Sequence, residues 1–475
     1  MADSKTEERT CLKLLVNTET NKVLFAETGK PFVDILCSFL TLPLGTIARL
    51  LQKPSSMHAD TTGCLNSLYQ SVADLNKMYV LTKTDKEMLM QPKNSSEDYC
   101  NSLELNIDDT PPAMYFLCTN FGGSCNNTNL YTSTDKNCAC GNPLTRSVFL
   151  KHFCDGFVRS RAKFVITDDL TIIPNSKHVT CFGLLKDYGV KSTSSVTEIT
   201  LSVTKEKVLD LLRCALISKS PLTDLFLRKK PSIESSPRFL DCAVENNTNI
   251  QIGVKLVIRK SDSKILYAQG DEDFADLLLS FLTFPLGGVV SKLRSNCSLG
   301  SIDKLYKSIV YLDENKYFKS TKAKKRLVDP HVAWQFRSRN KILPIQPNMK
   351  CYCYYHGKSY EESVIQNKFF ISDENRTRKK MFQLNNSKTM SSRRKGYVKT
   401  LKMYVATDDL IISQSSPISS IYIINSSKTS LDDLKEKDIT IGAKECLTIL
   451  MAALTSTSAL TNGLAHLLTE VKEEK

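Results

Sequence analysis

A chain that carries the same pattern twice can fold only in ways that use that pattern twice, and this chain carries one. Residues 12–45 align without gaps to residues 254–287, and 15 of those 34 positions are identical. The run Ser38-Phe39-Leu40-Thr41 returns as Ser280-Phe281-Leu282-Thr283, and Pro43-Leu44-Gly45 returns as Pro285-Leu286-Gly287. Three more blocks follow in the same order. Gly63–Leu75 resembles Gly300–Leu312, Gly156–Leu170 resembles Gly396–Leu410, and Thr204–Thr223 resembles Gly442–Thr461. The period is near 240 residues, too long for a solenoid repeat. Two tandem copies of one domain are therefore expected, residues 1–230 and 231–475. They would pack as pseudo-equivalent domains. A basic, Pro/Ser-rich linker from Arg228 to Pro237 lies between them.

Within one copy, Leu12–Val16 and Lys22–Ala26 flank a polar run and read as a β-hairpin. Phe32, Ile35, Leu36, Phe39 and Leu40 then fall on one face of a helix, as do Phe274, Leu277, Leu278, Phe281 and Leu282. Pro43 and Pro285 stop these helices, because proline restrains the preceding residue and has no N–H to donate. Asp34 and Asp276 sit off the apolar face and are expected to meet solvent. A second helix carries Val208, Leu211, Leu212, Ala215 and Leu216, matched by Cys446, Ile449, Leu450, Ala453 and Leu454. Between the helices, 163–173 and 402–412 read as strand–turn–strand. The expected fold class is α+β, a tandem duplication with a β-hairpin, amphipathic helices and a short antiparallel sheet in each copy.

The pattern resembles a plant-specific group, domain-of-unknown-function family 674. The residues that carry the resemblance are Leu12–Val16, Lys22–Glu27, Phe39–Gly45, Thr167-Asp168-Asp169-Leu170 and Leu222-Thr223-Asp224. The resemblance spans nearly the whole chain. It implies a plant source and a soluble protein, and carries over no activity, substrate or catalytic residue.

The N-terminus is charged and lacks an apolar core segment, so it does not read as a secretory signal. The most apolar stretch, Phe274–Val290, contains Asp276 and Pro285 and is too short to span a bilayer. With 41% apolar and 24% charged residues, the chain is not disordered, collagenous or membrane-embedded. An intracellular protein, cytoplasmic or nuclear, is expected, and its 16 cysteines read as reduced thiols.

The insert at about 100–150 in copy one holds a candidate metal site: Cys118, Cys125, Cys138 and Cys140, with Gly122-Gly123 and Gly141-Asn142-Pro143 as turns. Four thiolates could bind one structural zinc and staple a loop with little core of its own. The spacing C-x6-C-x12-C-x-C lacks the usual zinc knuckle, and four unrelated thiols in a loop are the competing reading. In copy two only Cys351, Cys353 and His356 remain, too few for an equivalent site.

Charge marks the other insert, about 321–400. The chain has a net charge of +14, and residues 321–400 alone sum to +14, against −2 for residues 81–160. The clusters are Lys322, Lys324, Lys325 and Arg326; Arg376, Arg378, Lys379 and Lys380; and Arg393, Arg394 and Lys395. Tyr352, Tyr354, Tyr355 and Trp334 lie among them. Lys and Arg can neutralise phosphates while aromatics stack on bases, so a polyanion such as nucleic acid is one possible partner. The last two clusters also fit a two-part nuclear import signal. A solvated insertion is the plainer alternative.

The repeated pairs Asp168-Asp169 and Asp408-Asp409 could bind metal or exchange protons. Each lies between two apolar runs, where Asp more commonly makes a hairpin turn. The chain has no phosphate-binding glycine loop, no nucleophile elbow and no HExxH helix, and none of its six histidines recurs in an aligned block. The resulting expectation is a non-enzymatic binding or regulatory protein, with an unknown protein partner. Polyanion binding through the basic insert is the first alternative and an enzyme of unknown reaction the second.

Overall fold

The computed structural model describes residues 9–54, 63–76, 78–80, 82–127, 129–131, 134, 137–150, 154–175, 180–228, 250–293, 299–333, 342–343, 345, 351–356, 369–372, 381–384 and 396–469. The linker at 229–249 falls outside them.

Two five-stranded antiparallel sheets form the frame. In the first, the strand order is 172–174, 164–167, 22–28, 10–17, 196–203; in the second it is 412–414, 404–407, 265–270, 252–259, 434–441. The central pairs have matching registers, with Leu14 opposite Ala26 and Leu256 opposite Ala268. The alternation Leu12, Leu14, Val16 places three side chains on the buried face, and Ile252, Val254, Leu256 do the same in the second half. The outer strands Val196–Val203 and Leu434–Ile441 were not anticipated, although Ile199, Leu201 and Val203 alternate with polar residues. The expected strand–turn–strand units are present at 164–174 and 404–414.

The two amphipathic helices of each half pack on these sheets. The first runs Lys30–Thr41, with Pro31 in its first turn, and its counterpart runs Glu272–Ser280, capped by Asp271. The second is Lys205–Ile217, matched by Ala443–Thr455. The first helix ends against its counterpart at the repeated Pro-Leu-Gly turn. There Leu44 N–H donates to Phe284 O and Leu286 N–H donates to Leu42 O, both at 2.9 Å. A Cβ on Gly287 would lie 2.9 Å from Leu40 O, so the crossing requires a residue without one.

A second pair of reciprocal contacts ties the halves together. Cys64 N–H donates to Ala453 O at 2.9 Å, and Ser301 N–H donates to Ala215 O at 2.8 Å. The helix after Cys64 thus docks on the last long helix of the other half, and the helix after Ser301 docks on Lys205–Ile217. Gly63 and Gly300 take positive φ (+52° and +46°) where a Cβ would come within 2.6 Å of those same carbonyls. Residues of both halves form one continuous buried apolar cluster. Among the described residues, no helix is long and apolar enough to cross a membrane.

Asp34 and Asp276 depart from expectation. Both are buried. Asp34 Oδ1 accepts the N–H groups of Phe157 and Val158 at 2.8 and 3.0 Å, and Asp276 Oδ1 accepts those of Tyr397 and Val398 at 2.7 and 3.1 Å. A helix covered on all sides has no solvent face, so its off-stripe carboxylate is turned to bind an incoming backbone segment.

A third, mixed sheet joins the two inserts, in the order 115–117, 146–150, 369–372, 351–356, 381–384, 129–130. Strand 146–150 pairs parallel with 369–372, and 381–384 pairs parallel with 129–130.

Candidate metal centre

The first-half insert has its own small core, made by Tyr115, Leu117, Cys118, Phe121, Cys125, Leu130, Tyr131, Cys138, Leu144 and Val148. Three of these ten described residues are cysteines. The four Sγ atoms of Cys118, Cys125, Cys138 and Cys140 lie within 4.8 Å of one another. Cys118 and Cys140 sulfurs are 3.5 Å apart, and Cys125 and Cys138 sulfurs 3.7 Å. A disulfide would need about 2.05 Å. A tetrahedron of sulfurs around zinc at about 2.3 Å has edges of about 3.8 Å. The cluster could therefore hold a metal ion.

Tight turns place the sulfurs. Gly122 N–H donates to Cys125 O at 3.1 Å, and Gly141 N–H to Cys138 O at 2.8 Å. Both glycines have positive φ, +86° and +84°, a conformation that favours glycine. Cys138 N–H reaches Asn142 O at 2.8 Å and closes the Cys138-Ala139-Cys140 loop, so a spacing of one residue still brings both sulfurs to one side. Asn127 donates its side-chain amide to Cys138 Sγ at 3.2 Å, and Asn142 donates to Cys140 Sγ at 3.4 Å. Such donors support thiolates. Sequence reasoning passed over both asparagines as supporting residues, although Asn142 directly follows the Cys140-Gly141 turn.

The thiols differ in acidity. The side-chain amide and backbone N–H of Asn142 bring Cys140 down to about 6, with Cys118 contributing. Burial pushes Cys118 up to about 12. For Cys125 the Asn127 backbone N–H pulls downward, but burial and the neighbouring thiols outweigh it and the net direction is up. One exposed, acidic sulfur beside three buried ones gives an incoming cation a first anionic ligand.

The basic candidates separate. Lys322, Lys324, Lys325 and Arg326 lie on the helix Thr321–Val328. Lys324 Nζ donates to Val310 O and Leu312 O, both at 2.7 Å, and Arg326 is buried, donating to Ser95 O at 2.9 Å near Asp98. Lys322 and Lys325 are exposed. Arg376, Arg378, Lys379, Lys380, Arg393, Arg394 and Lys395 lie outside the described residues.

The carboxylate pairs are at hairpin turns. Asp168 accepts Thr223 N–H at 2.8 Å and the Thr223 hydroxyl at 2.6 Å, and Asp408 accepts Thr461 N–H at 2.8 Å. Asp169 and Asp409 accept from the hydroxyls of Thr167 and Thr407 within the turns. Burial raises Asp168 to about 6, and raises Asp408 also.

The family model described as protein of unknown function (DUF674) matches residues 6–444. No curated protein and no solved structure matches the chain.

Proposed function

The chain belongs to the DUF674 family, whose function is unknown, and for it we propose a non-enzymatic binding or regulatory role in which a zinc-stapled lobe is carried on a rigid two-part body. The observation that carries this reading is the convergence of four cysteine sulfurs within 4.8 Å, three of them in the small apolar cluster of the first-half insert. Zinc suits an all-sulfur set, adds no redox chemistry, and in such closed sites contributes folding energy. Cys118, Cys125, Cys138 and Cys140 would hold it, with Asn127 and Asn142 supporting the charge.

A binding role is favoured over catalysis by how the repeated carboxylates are used. Asp34, Asp168, Asp276 and Asp408 each accept backbone N–H groups from another segment of the fold, which is structural work. Descent of the two halves from one duplicated domain is part of the proposal, supported by the repeated sequence blocks and the equal strand order of the two sheets. A reducing, intracellular compartment follows from the need for free thiolates.

The test is metal content. Elemental analysis of the folded, purified chain is expected to give one zinc per chain. Chelation is expected to open residues 113–148 to protease while the body resists. Folded protein with no bound transition metal would remove the reading. Polyanion binding is a second reading, favoured by the exposure of Lys322 and Lys325. It requires affinity for RNA or DNA that falls steeply with salt.

A further inference from the structure

Each five-stranded sheet ends in a short edge strand that meets a helix of the other half, and a groove is lined by the two. The groove beside Ile412–Gln414 has a volume of about 610 Å³ and is lined by Asn66, Gln70, Asp74 and Asn76 on the helix side. Its counterpart, beside Ile172–Pro174, is smaller, about 390 Å³, and is lined by Tyr311 and Asp313 at the positions of Asp74 and Asn76.

Edge polarity follows from the register. Val405 pairs with Ser413, and the flanking bonds are Thr407 N–H to Ile411 O and Ser415 N–H to Met403 O. In an antiparallel ladder the alternate residues, Ile412 and Gln414, turn their backbone groups away from the neighbouring strand, toward the open edge. The Gln414 carbonyl receives the Ser419 hydroxyl at 3.3 Å. Among the described residues, no strand lies beside the Gln414 N–H or the two Ile412 groups. In the first-half sheet the residue in the place of Gln414 is Pro174, which has no N–H and blunts that edge. One groove is thus open to strand addition and the other is closed.

We propose that the open groove binds an extended peptide segment of a partner protein, added as a further strand on Ile412–Gln414 and carrying a basic side chain directed at Asp74. Main-chain groups of an extended peptide match the outward N–H and C=O spacing, and the alternate side chains supply specificity. Asn66 Oδ1, in the groove wall, is buried without a hydrogen-bond partner among the described residues and can accept a donor from the peptide. Asp74 is the one charged group among the described lining residues; Gln70 donates to it at 3.1 Å. A cationic side chain complements it, whereas a phosphate would meet a carboxylate. The proposal rests on the binding-module reading and not on the metal.

The experiment is selection of a random phage-displayed heptapeptide library on the immobilised full-length chain, followed by anisotropy titration of the selected peptides. Two variants import what the closed groove already carries, Gln414→Pro and Asp74→Tyr. Both are expected to keep the wild-type Tm and zinc content. Peptides enriched in Lys or Arg are expected to bind the wild type and to bind each variant about tenfold or more weakly, the scale of a lost hydrogen bond or charge contact. Peptides that bind both variants undiminished would overturn the groove while leaving a binding module in place. Failure to enrich any peptide would overturn the groove as a peptide site. Absence of zinc would fail the metal reading alone.

Discussion

Replacing Asp34 or Asp276 by alanine tests whether two buried carboxylates hold the body together. Asp34 lies one turn into its helix and takes two buried N–H groups, those of Phe157 and Val158, on one oxygen. Its other oxygen meets Lys30 Nζ at 2.9 Å. Alanine leaves both N–H groups without their acceptor, at about 1–3 kcal/mol each. The Lys30 ammonium keeps Asp155 as a partner at 2.8 Å, on a more exposed side. The expected loss is about 3–5 kcal/mol, a large part of the 5–15 kcal/mol typical of a folded protein. Asparagine keeps an oxygen for the N–H bonds, so Asp34→Asn and Asp276→Asn are expected to lose only about 1–2 kcal/mol. The loss should be greater at 34, where the new amide would face the Lys30 ammonium. At the position in the second half equivalent to Lys30 the residue is Glu272. Urea unfolding followed by far-UV circular dichroism measures all four. Alanine variants that lose less than about 1 kcal/mol at both sites would refute the reasoning, because buried N–H groups would then have found other acceptors.

Three further outcomes follow from the same geometry. Gly396→Ala places a methyl 2.0 Å from Asp276 Oδ2, so it is expected to lower the thermal midpoint by about 1–3 degrees; an unchanged midpoint would show that the Gly396 loop can move aside. Arg326→Ala removes a buried donor to Ser95 O beside Asp98 and should cost about 2–4 kcal/mol of stability. Any nucleic-acid affinity should stay the same, and a salt-dependent loss of binding in the folded variant would contradict this placement. Asp168 is raised to about 6 by burial, so the folded form holds its proton more tightly than the unfolded chain. Its contribution is fully present below the unfolded value of about 4 and is lost as pH rises through about 6. Asp109 and Asp155, held low by hydrogen bonds from lysine and arginine partners after burial is offset, lose their contribution only at lower pH. Between pH 4 and 6 the urea midpoint of Asp168→Asn should therefore change less steeply with pH than that of the wild type, and equal slopes would refute the assignment.

Much of the frame is legible in the sequence because it rests on local rules. Period-two alternation marks the central hairpins, a 3.6-residue stripe marks the four long helices, and Pro43 and Pro285 mark where the first of each pair stops. The doubled Thr-Asp-Asp-Leu block also reads correctly as a turn, since Leu170 and Leu410 take positive φ there. The interlock between halves is not legible. Gly45, Gly63, Gly287 and Gly300 recur in the sequence, but the reason, a carbonyl of the other half pressed against each, exists only once the halves are assembled. The buried role of Asp34 was hidden for the same reason: an apolar stripe says which face is most buried, not that the remaining faces are exposed. The outer strands carry a clear alternation but sit between stronger helical signals. The four cysteines could be grouped by proximity in the chain. That their sulfurs converge within 4.8 Å depends on the turns at Gly122 and Gly141, and C-x6-C-x12-C-x-C spacing alone does not encode it.

The central claim is that these four cysteines hold one zinc ion. X-ray absorption at the zinc edge on the folded, full-length chain tests it most directly. The expected result is four sulfur scatterers at about 2.3 Å, with one sulfur lost in Cys138→Ser. A first shell of nitrogen and oxygen, or a signal unchanged by that substitution, would contradict it.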